Sequence, residues 1–294
     1  MLHASVGLAA GQPLAFASPT AAVTALARAV ASNDQTALRR LLGPQSEDVL
    51  SSGDAVADAR ERARFNAAYQ QRHHLAMRDP SHAELLIGDD GWPLPIPLVR
   101  TSGHWHFDMV QGRTEILARR IGRDEIEAMQ VCLAIVDAER EYAASHLDAD
   151  GVAVYARRLI SHPDQQDGLY WPTAAGEPLS PLGPLLAAAA DEGYTDPHLL
   201  RRAPFHGYFY RLLEGQGPRA ADGARAYLVR GRMIGGFAVI AYPAHYGASG
   251  VASFMVNQDG RIFERDLGPD TATVAAAVDE FDPVAGWLET FAHP

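Results

Sequence analysis

Two histidines and an aspartate alternate with aromatic residues in the stretch GHWHFD. On a β-strand, His104, His106 and Asp108 would point to one side, and Trp105 and Phe107 to the other. Because aromatic rings prefer the interior, the polar set would share the outer face. A His-x-His pair on a strand can bind zinc or copper, with a carboxylate as a further ligand. The pattern is compatible with a metal site, and a solvated strand face is the simpler interpretation.

A second oxygen-rich segment reads DADG. Asp148 and Asp150 are typical of the start of a calcium loop. An EF-hand also needs acidic residues further along, and the chain has Val152 and Leu159 there, so an EF-hand is excluded. A weaker calcium loop is one interpretation, and a turn rich in Asp and Gly is the other.

Polar and aromatic residues are scattered through the irregular middle of the chain. If this part lies over a sheet, they could line a groove for a peptide, a sugar or a carboxylate. Packing of the rings in a lid is the competing interpretation. The candidate groove residues are Asp167, Tyr170, Trp171, His206, Tyr208 and Arg211.

The sequence lacks the familiar catalytic signatures. GASGV around Ser249 does not have the spacing of a Gly-x-Ser-x-Gly elbow, and neither His-Glu-x-x-His nor a Walker loop occurs. Cys132, the single cysteine, lies among apolar residues at helical spacing, which favours a buried structural thiol. We expect no cofactor and no catalysis. The alternative is a hydrolase-type enzyme that uses a groove near Trp171 and His206.

Charge and hydropathy restrict the partners. The net charge is −11, so nucleic acid and anionic lipid would be repelled, and all 25 basic residues are arginine. An apolar run of about 18 residues, which a membrane-spanning helix needs, does not occur. The expected partner is another protein or a small ligand, without nucleic acid and without membrane insertion.

Local signals predict an N-terminal α+β domain over residues 16–112, after a disordered mature N-terminus over residues 1–15. Helices are predicted to begin at Ser18 and at Asn33-Asp34, and a third to run from about Val56 to Arg72. The stretches AELLIG and PIPLVRTSGHWHFDM then predict a small antiparallel sheet. By analogy, cystatin-like or nuclear-transport-factor-like folds combine such elements.

Residues 113–294 predict a second α+β domain, in which one long helix packs on a four-stranded antiparallel meander. The helix should run from Arg113 to Ser145, and a last one from Asp270 to Phe281. The strand segments are HGYFYRLLE, GGFAVIAYPA, GVASFMVN and RIFERDL. The turn NQDG predicts a hairpin between the last two, with Phe254 facing the helix. The inner stripe of that helix is predicted to contain Ile126, Met129, Leu133 and Val136, and Cys132 and Ile135 are predicted to widen it.

The motifs resemble those of a bacterial secreted family known as domain of unknown function 2950. They include RRIGRDEIEAMQVCLAIVDAEREYAA, DADGVAVYARRLI, GYFYRLL, GRMIGGFAVIAYPAHYG and VNQDGRIFERDLGPDT, and they extend from about Phe16 to the C-terminal helix. The resemblance implies a periplasmic or extracellular protein whose signal peptide is absent from this chain. It implies no activity.

The C-terminal half also resembles the globular domain of pilins and type II secretion pseudopilins. The matching pieces are Asp124-Glu125, Tyr142, the segment 148–151, Gly207-Tyr208, Ala241-Tyr242-Pro243 and the segment 247–263. The chain lacks the hydrophobic helix with which pilins polymerise. Together the resemblances lead us to expect a secreted cell-envelope binding or assembly factor. A metal-binding module at His104 and His106 is a further alternative.

Overall fold

The computed structural model describes residues 13–196, 199–284 and 286–291. The protein is α+β, as the sequence predicted, and divides into two compact units, one up to Arg119 and one from Arg120 onward. Of the predicted disordered N-terminus, residues 1–12 lie outside the described residues. Leu14 is ordered: its N–H donates to Arg40 O over 3.0 Å, and its side chain packs on the core of the first unit.

Side-chain caps define the helices of the first unit. Ser18 Oγ accepts a hydrogen bond from Ala21 N at 3.2 Å, and Asp34 Oδ1 accepts one from Ala37 N at 2.9 Å. The predicted helix starts at Ser18 and Asp34 are therefore confirmed. The helices are α1 (Pro19–Ala31), α2 (Gln35–Leu42), α3 (Glu47–Leu50) and α4 (Ala55–Gln71), with a 3-10 turn at Pro44–Ser46.

The first unit also holds a five-stranded antiparallel sheet, with two strands, at His73–Asp79 and Trp92–Pro93, that the sequence did not predict. The third helix was predicted to run to Arg72, but α4 ends at Gln71 and a strand begins at His73, paired with β2 through His73 and Ile87. The strands are β1 (His73–Asp79), β2 (His82–Ile87), β3 (Trp92–Pro93), β4 (Leu98–Thr101) and β5 (His104–Phe107). The order is β1-β2-β4-β5, and β3 pairs with β2.

Three helices follow: α5 (Met109–Ser145), α6 (Gly183–Asp191) and α7 (Thr271–Ala276). The predicted inner stripe of α5 was wrong at Ile126, which is 41% exposed, whereas Cys132 and Ile135 are fully buried. The last helix was predicted too long, because it ends at Ala276 and Phe281 lies in a strand. The division between the two units falls within α5.

The strands of the second unit form a larger sheet and two small ones. They are β6 (Tyr208–Leu213), β7 (Gly215–Gln216), β8 (Arg225–Ala226), β9 (Leu228–Val229), β10 (Arg232–Met233), β11 (Ala238–Pro243), β12 (Ala252–Asn257), β13 (Ile262–Asp266), β14 (Glu280–Phe281) and β15 (Leu288–Thr290). The main sheet is antiparallel with the order β15-β13-β12-β11-β6. It contains the four predicted strands and adds β15 at one edge, while β6 forms the other edge.

The predicted hairpin is formed by β12 and β13, and both faces of β12 are buried. Phe254 and Met255 point to opposite faces, and each is 1% exposed. Helix α5 lies against β12, where Glu125 Oε1 accepts hydrogen bonds from Val251 N and Ala252 N at 3.0 Å. On the Met255 face, Ala275 and Phe281 belong to the same apolar cluster.

Candidate functional site

His104 and His106 lie on β5 as predicted, with the buried Trp105 and Phe107 on its other face. His104 is exposed, and its Nδ1 is 3.2 Å from Ser102 O. Asp108 Oδ1 accepts hydrogen bonds from the N–H groups of Val110 and Gln111 at 3.0 and 3.4 Å, at the start of α5. Across the described ranges, no group of three or more His, Cys, Asp or Glu is arranged to hold a metal ion.

Asp148 and Asp150 belong to a tight turn. Asp148 Oδ1 accepts hydrogen bonds from Asp150 N and Val152 N at 2.9 Å, and its Oδ2 pairs with Arg232. The hydrogen bond from Val152 is the main cause that lowers the pKa of the Asp148 carboxyl. A calcium ion at this carboxylate would compete with the Arg232 guanidinium, so the calcium loop stays a prediction without structural support.

The predicted groove residues do not converge on one site. Trp171 packs edge-on against Tyr142 and His146, with ring centroids 6.5 and 6.3 Å apart. His206 Nδ1 lies 2.8 Å from Glu127 Oε2. Glu127 and Tyr142 are 15 residues apart on α5, which is about 22 Å along a helix. Trp171 and His206 therefore contact parts of α5 that are far apart along its axis. The predicted groove between them is not formed.

Tyr208 and Arg211 point to opposite faces of β6. The Tyr208 hydroxyl is buried and donates to Ala252 O over 2.9 Å. Burial raises its pKa, and the carboxylates of Glu125 and Asp124 on α5 raise it further. Arg211 instead reaches α7, where its Nη2 donates to Ala275 O at 2.9 Å and also contacts Val278 O. Tyr208 is thus a packing residue, and only Arg211 is left to face a cavity.

That cavity is lined by four arginines. It has a volume of about 330 Å³ and opens beside β6. We call it the arginine pocket, and its lining consists of Arg157, Arg158, Leu159, Ile160, Leu200, Arg201, Tyr210, Arg211 and Leu212. The volume lies at the lower end of the range of small-ligand sites.

The guanidinium groups of the arginine pocket are only partly neutralised. Arg157 and Arg211 form long ion pairs, 3.6 Å to Glu214 and 3.8 Å to Asp279. Arg201 Nη2 donates to the carbonyl oxygens of Ile160 and Ser161, at 3.4 and 3.0 Å. The Arg201 guanidinium is therefore stabilised by carbonyl dipoles. Among the described residues, no Asp or Glu forms an ion pair with it. The pocket is a cationic site in an acidic protein.

Arg158 is held in the arginine pocket by the predicted groove residue Asp167. The two side chains are 3.4 Å apart, and Asp167 also accepts hydrogen bonds from His162 N and Nδ1 at 2.9 and 2.8 Å. Partial burial raises the pKa of Asp167, but the bonds from His162 and the charge of Arg158 outweigh it and lower the pKa. Arg158 Nε is buried and lacks a hydrogen-bond partner in the described structure. Tyr170 pairs with Ile160 through the backbone and does not line the pocket.

Sequence reasoning missed three of the four arginines of this pocket. Arg157-Arg158 and Arg201-Arg202 are double-arginine steps in irregular segments, and this repetition is the signal that could have marked them. It is weak, because arginine is the sole basic residue other than histidine in the chain. Only the fold brings the segment near 158, the segment near 201 and β6 to one cavity.

Two buried carboxyl groups on α5 were also missed. Asp124 is 2% exposed and Glu139 is fully buried, and one oxygen of each, Oδ2 and Oε1, has no hydrogen-bond partner within the described residues. Burial raises the pKa of Asp124 to about 7 and that of Glu139 well above its ordinary value. Cys132 is buried as predicted, and burial raises the pKa of its thiol.

The comparisons place the chain in one family. It belongs to the family described as "Protein of unknown function (DUF2950)", whose profile matches residues 14–290. The comparison with curated proteins found no match. The comparison with solved structures found none either. Of the helices that the structure describes, none is both long and apolar enough to cross a membrane.

Proposed function

We propose that this protein is a secreted cell-envelope binding factor, without catalytic activity, that holds an anionic ligand in the arginine pocket. The observation that carries the proposal is a cavity lined by four arginines in a chain whose net charge is −11. An acidic protein repels anions at long range, so a local concentration of guanidinium groups is needed to hold one. The envelope location rests on the resemblance to secreted bacterial proteins.

The chemistry of the lining favours carboxylate or phosphate groups. A guanidinium group presents several N–H donors in a plane and can bind such an anion through two hydrogen bonds. Leu159, Ile160, Leu200 and Leu212 supply apolar walls. Apolar walls with a few polar anchors are typical of binding sites.

Calorimetric titration tests the proposal with three probes: citrate, inorganic phosphate and an acetylated hexapeptide that alternates valine with glutamate. Arg201→Gln should weaken binding of at least one probe by about tenfold, because a charge-assisted hydrogen bond is lost. Arg100→Gln, at an exposed position of the first unit, is the matched control and should leave binding unchanged. Added salt should weaken binding. Equal affinity in the two variants, or no binding of any probe, would refute the proposal.

A hydrolase is the second candidate, and the surroundings of His206 favour it. His206 Nδ1 is 2.8 Å from Glu127 Oε2, and its Nε2 is 3.7 Å from Glu192 Oε2. A carboxylate that orients an imidazole is the arrangement of a general base. The test is hydrolysis of ester, peptide and glycoside probes by the parent and by His206→Ala. Turnover that the variant loses would replace the binding proposal, and equal rates would eliminate the hydrolase.

A further inference from the structure

The arginine pocket lies along an unpaired strand edge. Ala244 N donates to Gly207 O over 2.8 Å, and the register continues from this pair with Phe209 opposite Tyr242 and Arg211 opposite Ile240. In an antiparallel pair, alternate residues bond across the ladder, so Phe209, Arg211 and Leu213 bond to β11. The N–H and C=O groups of the residues between them point away from β11, toward the outer edge of the sheet.

Two of these outward residues line the pocket and, within the part of the chain that the structure describes, lack a partner strand at this edge. Tyr208 is satisfied, because its N–H and C=O bond to Phe205 at 3.1 and 2.9 Å. Tyr210 and Leu212 line the arginine pocket, and within the described residues their outward backbone groups have no hydrogen-bond partner. Unpaired edge groups of this kind are a template for another strand.

The segment 157–160 also lines the pocket and does not pair with this edge. Two of its carbonyl groups bond elsewhere: Leu169 N donates to Arg158 O at 3.0 Å, and Tyr170 N donates to Leu159 O at 2.9 Å. The unpaired edge of β6, this segment and the four arginines therefore line one cavity.

We propose that β6 accepts an extended acidic peptide segment of a partner protein as an additional strand. The main chain of the peptide would bond to Tyr210 and Leu212, and its carboxylates would reach Arg201 and the neighbouring arginines. Strand addition provides affinity through the main chain and specificity through alternate side chains. Charge complementarity selects an acidic peptide over a neutral or basic one. This inference rests on the proposed function, because it names the class of anion that the pocket holds.

The test separates main-chain pairing from charge. The first probe is the acetylated hexapeptide that alternates valine with glutamate. The second has the same sequence with alternate backbone nitrogens methylated, so that it keeps its carboxylates and loses donors for strand pairing. The third replaces glutamate with glutamine. Binding to the full chain is measured by calorimetry, with unfolding curves to establish that each variant is folded.

We expect the methylated peptide and the glutamine peptide each to bind at least about tenfold more weakly than the parent peptide. Arg201→Gln should weaken the parent peptide to a similar extent, and Arg100→Gln should not. Equal binding of the methylated and parent peptides, with the loss in Arg201→Gln retained, would overturn strand addition and leave anion binding intact. Binding of citrate or phosphate but of no peptide would likewise overturn strand addition and leave anion binding intact. Equal affinity of Arg201→Gln and Arg100→Gln for every probe would overturn both proposals.

Discussion

The backbone N–H of Ala156 donates a hydrogen bond to Glu139 Oε2 over 2.8 Å, and Glu139 is fully buried. Burial raises the pKa of this carboxyl, while the hydrogen bond from Ala156 lowers it by less. The folded protein therefore holds a proton on Glu139 that the unfolded chain releases above about pH 4.5. The neutral Glu139 carboxyl thus connects the irregular segment after α5 to this helix by a hydrogen bond.

The first prediction concerns this carboxyl. Its stabilising contribution is present at acidic pH and is lost as the pH rises from the unfolded pKa toward the raised folded pKa. Glu139→Gln keeps an oxygen for Ala156 N and cannot ionise, so its stability should exceed that of the parent at pH 8 and match it at pH 4. Glu139→Leu also cannot ionise but leaves the Ala156 N–H unpaired, so it should be about 1–3 kcal/mol less stable than Glu139→Gln at both pH values. Urea unfolding measures these differences, and parallel pH profiles of Glu139→Gln and the parent would contradict the prediction.

Asp124 should give the free energy of unfolding a second dependence on pH. Burial is the main cause that raises its pKa from 3.8 to about 7, and the nearby Arg123 guanidinium opposes the rise. Stability should therefore fall between about pH 4 and pH 7, by at most roughly 1.4 kcal/mol per pH unit. Asp124→Asn should flatten this part of the stability curve. Asp137→Asn, at an exposed position of the same helix, is the control and should leave the curve unchanged.

Phe254 should carry much of the stability of the main sheet. It is 1% exposed, and its ring centroid is 5.9 Å from that of Tyr208. Phe254→Ala should cost about 3–5 kcal/mol, because transfer energy is lost and a cavity is left. Arg261→Ala removes a surface ion pair with Glu289 at 2.8 Å, which should cost no more than about 1 kcal/mol. Thermal unfolding of both variants checks this, and a Phe254→Ala protein that melts like the parent would show that the ring does not support the sheet.

Zinc binding at β5 should be weak. His104 and His106 share the outer face of the strand, but the Asp108 carboxylate receives hydrogen bonds from the first turn of α5. Two imidazoles without a third ligand should bind zinc no more tightly than micromolar, and His106→Ala should abolish the binding. Calorimetry with zinc measures both. Tight stoichiometric zinc in the purified protein would make this face the principal site.

The protein should be exported. Fractionation of cells that express the full natural gene should recover it outside the inner membrane, with its N-terminal segment cleaved. Recovery in the cytosol with an intact N-terminus would rule out the envelope location, but it would not affect anion binding by the purified protein.

Local sequence patterns predicted most of the helices and the four longer strands of the main sheet. Ser18 and Asp34 cap helices because a side-chain oxygen next to a free backbone N–H needs only a few residues of chain. Alternating apolar residues around NQDG defined the hairpin of β12 and β13 for the same local reason. The extra edge strand β15 was missed, because three residues without a strong alternation give little signal.

The tertiary structure alone decided which faces are buried and where charges meet. Residues on both faces of β12 are buried, because α5 lies against one face and elements from the C-terminal end pack on the other. The arginine pocket combines Arg157, Arg201 and Arg211 from three segments of the chain. Local pattern cannot place such residues together, since their proximity depends on the register of β6 and on loops that carry no periodic signal. Local sequence therefore specified the main helices and the central strands, and long-range packing created the candidate binding site.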